Sequence, residues 1–326
     1  MSLDKQLDDV LGYPPWDESV LEKSWWITFS GTREYVNTKH QGALLYRSLE
    51  SVCFSLAIFL DAVEDLISSI NMFKANSIRP SFWHRPNRAF VDRLEIRIQR
   101  GISSSSSCAM ALVDHTRNFS TNYPVLNYDD KIKTSFSTNP EHRFVRGLRN
   151  YIAHVHITKA NWQITHSGKG RMVRFILSPA ELVKWDEWHP EAKAYIKQKT
   201  EVIDVEELFD SYSTKVRRFH IWFNSRVMDT FSDDITDYLR CKRFLDKLSI
   251  ANEWRLLLIP ASQRDDFDPY IHLGKYLSKQ EREDVFSLPY RSKAQVDRII
   301  SLIDEHNSCT EEFRQKVYSL FKLSES

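Results

Sequence analysis

Cysteine is scarce: Cys53, Cys108, Cys241 and Cys309 are the only four, and no two of them stand as a C-x-x-C pair. That scatter fits neither a zinc cage nor a disulfide framework, and reads as four reduced and mostly buried thiols in a chain expected to be cytoplasmic. Only 8 glycines and 11 prolines occur in 326 residues. This is too few for a sheet-rich chain with many tight turns, and natural for one built of long helices. No run of 18 apolar residues exists, and stretches such as Leu256 to Ile259 are only core-sized, so no membrane-spanning segment is expected. Met1 to Gly12 is charged from its fourth residue and has no apolar h-region, which argues against a secretory signal. Lys plus Arg (45) nearly equals Asp plus Glu (44). A nonspecific polycation is thereby excluded, and any nucleic-acid contact must come from a local patch. There is also no phosphate-binding G-x-x-x-x-G-K-[ST] loop, no G-x-G-x-x-G turn, no H-E-x-x-H helix and no G-x-S-x-G elbow. No cofactor and no metal site is expected.

Apolar residues make up 42% of the chain, ample for a core without staples. From Gln41 to Phe73 they recur at helical spacing, with Leu45, Leu49, Val52, Leu56, Phe59, Leu60, Val63 and Ile67 on one stripe. Pro80 and Pro86 then predict an irregular loop, and a second helix runs to about Arg100. The serines from Ser103 to Ser107 read as a turn or as the capping zone of the next helix. A short helix begins near Pro140. Alternating apolar residues in 161–165 and 172–177 around SGKG predict one β-hairpin, the sole sheet signal. Ser178, Pro179 and Glu181 form a helix-start pattern with a capping box. Asp204 should cap a long helix that continues or restarts between Ser232 and Leu248. Helices over 292–305 and 310–323 close the chain. The expected organisation is an N-terminal extension over 1–40, a helical domain over 41–200 with the hairpin near 161–177, and a C-terminal helical region over 201–326. The fold class is mainly α, a helical bundle with one small hairpin.

The segment HRFVRGLRNYIAHVHI, His142 to Ile157, carries the chemistry. At about 100° per residue, Phe144, Leu148, Tyr151, Ile152 and Val155 fall on a core-facing arc. Arg143, Arg146, Arg149, Asn150, Ala153 and His154 fall on the other. Three guanidiniums and an imidazole share that arc without a carboxylate among them, an arrangement that repels itself unless an anion such as phosphate arrives. Gly147 and Ala153 are small enough to let a partner helix or a substrate backbone approach. By contrast Glu191 and Lys193, spaced as in some nucleases, follow Pro190 in a helical stretch instead of lying on a strand beside an acidic partner, so no nuclease role is expected there.

The hexapeptide RNYIAH, Arg149 to His154, resembles the R-x(4–6)-H motif of HEPN-domain ribonucleases, with Asn150 as the polar residue that often follows the arginine. Arg33 to His40 and Arg79 to His84 match the bare spacing too. The first lies in a polar stretch without periodicity and the second is interrupted by Pro80, so neither is expected in a helix interior. The resemblance implies a helical bundle and a homodimer that pairs two motif helices across a cleft. It also implies a metal-independent endoribonuclease acting by 2′-OH attack, of the bacterial toxin or anti-phage defence type, with an antitoxin or defence-system partner. In this scheme His154 transfers the proton, Arg149 holds the phosphate, and Asn150 orients one or the other. Arg143 and Arg146 extend the contact to RNA. His156 stands where toxins controlled by a nucleotidyltransferase carry a tyrosine, which departs from that mode of control and leaves His156 either as a supporting residue on the substrate side or as a core-edge histidine. A second basic stretch, Arg79 to Arg100, interleaves arginines with Phe82, Trp83 and Phe90, a pattern that suits single-stranded RNA, with Arg85 and Arg88 as substrate contacts, or equally a solvated helix beside a packed aromatic loop. The alternative reading is a noncatalytic HEPN-type scaffold binding RNA, nucleotide or protein; a third is a helical regulatory protein.

Overall fold

The computed structural model describes residue 24 and residues 31–137, 139–154, 161–167, 170–199, 201–253, 267–304 and 309–323. Among these residues long helices dominate, with one three-stranded antiparallel sheet, so the fold is mainly α. The chain forms two compact units, one over Leu45–Ser232 and one over Met1–Leu44 with Asp233–Ser326.

The first unit is built on helix α2 (Gln41–Ser77) and helix α3 (Arg88–Asn122). Leu45, Leu49, Val52, Phe59 and Val63 are buried as their spacing requires, joined by Leu66, Ile70 and Phe73. Between them the prolines set two 3-10 turns, Pro80–Trp83 and Arg85–Asn87. The five serines form neither a turn nor a cap; they lie inside α3. Ser105 and Ser106 are fully buried, and Ser105 donates to the carbonyl of Ala62 on α2 at 3.1 Å. A Cβ at Gly101 would come within 3.0 Å of Leu66. The run of small residues thus serves close packing of α3 against α2, and buried hydroxyls satisfied by backbone carbonyls remove the usual penalty of serine in a helix.

Helix α4 (Tyr128–Ile132) and a π-helical turn (Lys133–Ser137) lead to helix α5 (Pro140–His154). The hairpin comprises β1 (Asn161–Ser167) and β2 (Gly170–Leu177), paired antiparallel with Trp162 opposite Phe175 and Ile164 opposite Val173. On β2 Val173, Phe175 and Leu177 are buried in alternation, and Phe175 packs edge-on to Phe73 at 4.8 Å. A third strand, β3 (Ile203–Asp204), adds to β2; two residues are too few to show alternation in sequence. Helices α6 (Pro179–Leu182) and α7 (Pro190–Gln198) lie between β2 and β3. Pro179 begins α6 as expected, yet Ser178 makes no side-chain cap, and Glu181 instead holds Lys184 at 2.9 Å, so the capping box is not formed.

Helix α8 (Val205–Glu253) starts on its expected cap, where Asp204 accepts from the amides of Glu206 and Glu207 at 2.9 and 3.2 Å. Its only interior break is Phe231, with φ −123° and ψ 19°. The boundary between units falls beside that break. The reason is packing: Tyr212, Phe219 and Phe223 sit against Phe59, Phe136 and Phe119 of the first unit. An apolar stripe that finishes the core of one unit cannot open the next.

In the other unit, helix α1 (Thr32–Thr38) contains Arg33, which sequence periodicity had left unstructured. Helices α9 (Lys279–Phe286), α10 (Lys293–Ile303) and α11 (Glu311–Leu320) begin on Ser278, Ser292 and Thr310 caps. They bury Val285, Val296, Ile299, Val317 and Tyr318 together. Gln295, 1% exposed, is fully used: it donates to the carbonyls of Val285 and Leu288 and accepts from Tyr270 and the Arg291 amide.

Candidate functional site

Helix α5 is opened by Asn139, whose side-chain oxygen accepts from the Glu141 amide at 3.0 Å ahead of Pro140 at the first helical position. Its inner face buries Phe144, Val145, Leu148 and Tyr151. Phe144 and Tyr151 both stack on Trp188, at 5.5 and 5.7 Å. The opposite side leaves Arg146, Arg149, Ala153 and His154 exposed, with Arg143 and Asn150 half-buried. The two arcs expected from periodicity are therefore present as far as His154; Val155 and His156 lie outside the described residues.

Two expectations about this face are corrected. Gly147 is not open to a partner: a Cβ there would stand 2.5 Å from the Trp188 ring, so its smallness serves the indole. Nor is the face free of carboxylate, because Glu191 of α7 reaches Arg143 at 3.0 Å. Lys193 pairs with Asp186 at 3.3 Å, so Glu191 and Lys193 act as separate surface ions.

What remains is a group of two guanidiniums and an imidazole. Arg149 donates to the side-chain oxygen of Asn150 at 3.1 Å, which ties Asn150 to Arg149 and not to His154. Arg146 and His154 have no hydrogen bond or ion pair among the described residues. Arg149 and His154, five positions apart, project about 140° from each other, so one copy of α5 cannot bring both onto one phosphate.

Arg85 is exposed on its 3-10 turn, and Arg88 is bound to Asp92 at 3.0 Å. Neither forms a hydrogen bond or ion pair with α5 among the described residues. The aromatics between these arginines are mostly spent on packing. Phe82 is 4% exposed against Phe73 and Phe90, while Trp83 donates to the Ser77 carbonyl and rests on Trp162 at 4.9 Å.

One group of possible metal ligands occurs among the described residues: His40, Asp237 and Cys241, with ligand atoms within 4.8 Å of one another. Two of its three members, His40 and Asp237, are hydrogen-bonded to each other and to their neighbours. His40 Nδ1 accepts from the Gly42 amide at 3.1 Å, which leaves Nε2 to carry the proton and donate to Asp237 at 3.2 Å, and Arg240 adds a second donor to Asp237 at 2.9 Å. A cation would have to displace that proton and compete with a guanidinium.

Sequence reasoning missed a cavity of about 280 Å³ bounded by α3, α4, the π-helical turn, α5 and α8. His142 and His220 line it, 9% and 4% exposed, and burial holds each imidazole near pKa 4; at His142 Arg143 and Arg146 add to the effect. His142 Nδ1 is hydrogen-bonded to the Tyr212 hydroxyl at 2.9 Å. No spacing rule links residues 142, 212 and 220, because different helices bring them together.

Comparison with protein-family models, characterised proteins and solved structures returns no match. Fold and site thus define a mainly helical protein with a small antiparallel sheet and an exposed arginine–histidine face on one helix. Among the described residues no helix is long and apolar enough to cross a membrane.

Proposed function

We propose that the protein is a metal-independent endoribonuclease of the HEPN type, working as a homodimer through α5. The observation that carries this reading is that Arg146, Arg149 and His154 are exposed on one helix face while no acid of the described residues neutralises them. Exposed guanidiniums without internal partners suit the backbone of RNA, where they hold phosphate and stabilise the charge that builds on its oxygens. Histidine is the side chain suited to accept the 2′-OH proton and return one to the leaving oxygen near neutral pH. Two copies of α5 related by a two-fold axis would set Arg149 of one beside His154 of the other, removing the divergence within one helix. A cytoplasmic toxin or anti-phage effector, with an antitoxin or other defence partner, is the biological role that follows from the motif RNYIAH.

The second reading is a noncatalytic RNA-binding scaffold. It is favoured by the same divergence of Arg149 and His154, which leaves a single chain able to bind phosphate but not to cleave it. Incubation of purified protein with RNA in EDTA separates the two. The enzyme should release fragments ending in 2′,3′-cyclic phosphate and spare DNA of the same sequence, which lacks the nucleophile. RNA retained intact but bound would establish the scaffold, and strict dependence on magnesium would overturn the mechanism.

A further inference from the structure

The cavity at α3, α5 and α8 has the features of a ligand site rather than of a packing flaw. Its walls are apolar and aromatic, including Leu112, Phe136, Val216 and Phe219. At roughly 30 Å³ per water it would hold about nine waters, the size of a compact one-ring organic molecule. One of its lining residues, His220, is 4% exposed, and its Nδ1 has no hydrogen-bond partner. A buried ring nitrogen without a partner is costly unless something in the cavity meets it. The other buried imidazole, His142, is already bonded to Tyr212, so the deficit belongs to His220 alone.

The border carries an excess of positive charge: Arg117, Arg143 and Arg146 against the one carboxylate Asp129. Arg117 is paired with Asp114 at 3.1 Å and Arg143 with Glu191 at 3.0 Å. Arg146 is exposed and without such a partner among the described residues. An exposed unpaired cation and a buried unpaired polar atom on the lining of one aromatic-walled cavity define the complementary molecule.

We propose that this cavity binds a small aromatic acid, its ring between Phe136 and Phe219, a ring hydroxyl on His220 Nδ1 and its carboxylate on Arg146. The ring suits walls made of aromatic edges and faces, and a carboxylate suits the planar guanidinium fork. Because Arg146 also stands on the exposed face of α5, occupancy would draw that guanidinium towards the cavity.

The test is calorimetric titration of the full chain with 4-hydroxyphenylacetate. Phenylacetate, 4-methylphenol and inorganic phosphate serve as comparison probes. Saturable binding at one site per chain is expected, weaker for phenylacetate and for 4-methylphenol, each of which lacks one anchor. Arg146→Ala, at an exposed position where folding is not at stake, should weaken 4-hydroxyphenylacetate roughly tenfold to a hundredfold, the weight of one charge-assisted hydrogen bond. His220→Phe should remove the preference for the hydroxylated probe over phenylacetate. Absence of saturable binding by the wild-type chain, unchanged affinity in Arg146→Ala, or displacement of the probe by phosphate alone would each overturn the proposal.

Discussion

Gly147 of the motif helix lies against Trp188: a Cβ on residue 147 would come within 2.5 Å of Cζ3 and 2.6 Å of Cε3 of the indole. Two effects then oppose each other in Gly147→Ala. Alanine is the better helix former by about 1 kcal/mol. Forcing a methyl into a filled contact costs about 1–3 kcal/mol. Trp188 is 4% exposed and stacked between Phe144 and Tyr151, with its indole N–H donating to the Leu182 carbonyl at 2.6 Å, so it has little room to withdraw. Gly147→Ala should therefore lower stability in urea denaturation. An increase would mean that the indole yields easily and that the position is open after all.

The two buried imidazoles make stability depend on pH. His142 and His220 sit near pKa 4 in the folded chain, against 6.5 as ordinary histidines. Their folded values lie below the unfolded ones, so the unfolded chain binds more protons between the two. The contribution is complete above pH 6.5 and is lost as pH falls towards 4. The limit for each ring is about 3 kcal/mol, since each step of one in pKa is worth about 1.36 kcal/mol. Urea midpoints measured from pH 7 to pH 4 should fall steeply for the wild type and less steeply for His220→Gln. Equal slopes would show that His220 is not held neutral by burial.

Much of the fold could be read from periodicity, because the helices are long and amphipathic and bury the predicted stripes. Leu45, Val52, Phe59 and Val63 on α2, and Phe144, Leu148 and Tyr151 on α5, are buried as their spacing requires. The failures share one cause, contact between distant segments. Ser103 to Ser107 look like a turn locally, and only the approach of Leu66 and Ala62 explains small residues inside a helix. Glu191 could not be placed on Arg143 from sequence, nor Trp188 on Gly147, since 48 positions separate the members of the first pair. The cavity was illegible for the same reason, being assembled from α3, α4, the π-helical turn, α5 and α8.

The Glu191–Arg143 pair should restrain RNA affinity. At 3.0 Å the carboxylate competes with phosphate for the guanidinium, though both side chains are partly exposed and the pair itself stabilises the fold little. Glu191→Gln should tighten single-stranded RNA binding at low salt and steepen log K against log salt by about 0.7, one more phosphate contact. Arg146→Ala should weaken binding and flatten that slope by a similar amount. Fluorescence anisotropy over a salt series measures both. If neither slope moves, RNA does not lie on this face of α5.

The strongest test of the shared site is mixing. Arg149→Ala and His154→Ala each remove one exposed side chain from the end of α5, so both should fold with melting temperatures close to wild type and both should lose cleavage. On one helix the two residues project about 140° apart. If each active centre takes Arg149 from one protomer and His154 from the other, the two inactive chains are complementary. Random mixing puts both defects in one centre of a mixed dimer and leaves its second centre with an intact arginine and an intact histidine. Half of the dimers in an equal mixture are mixed, and each restores one centre in two, so about a quarter of wild-type cleavage should return, rising and falling with the proportion of the two chains. Were both residues needed from the same protomer, each chain would stay defective in its own centre and mixing would restore nothing. Persistent inactivity of the mixture, with subunit exchange verified by labelled chains, would rule out the shared site. Full activity of a monomer in sedimentation at assay concentration would do the same.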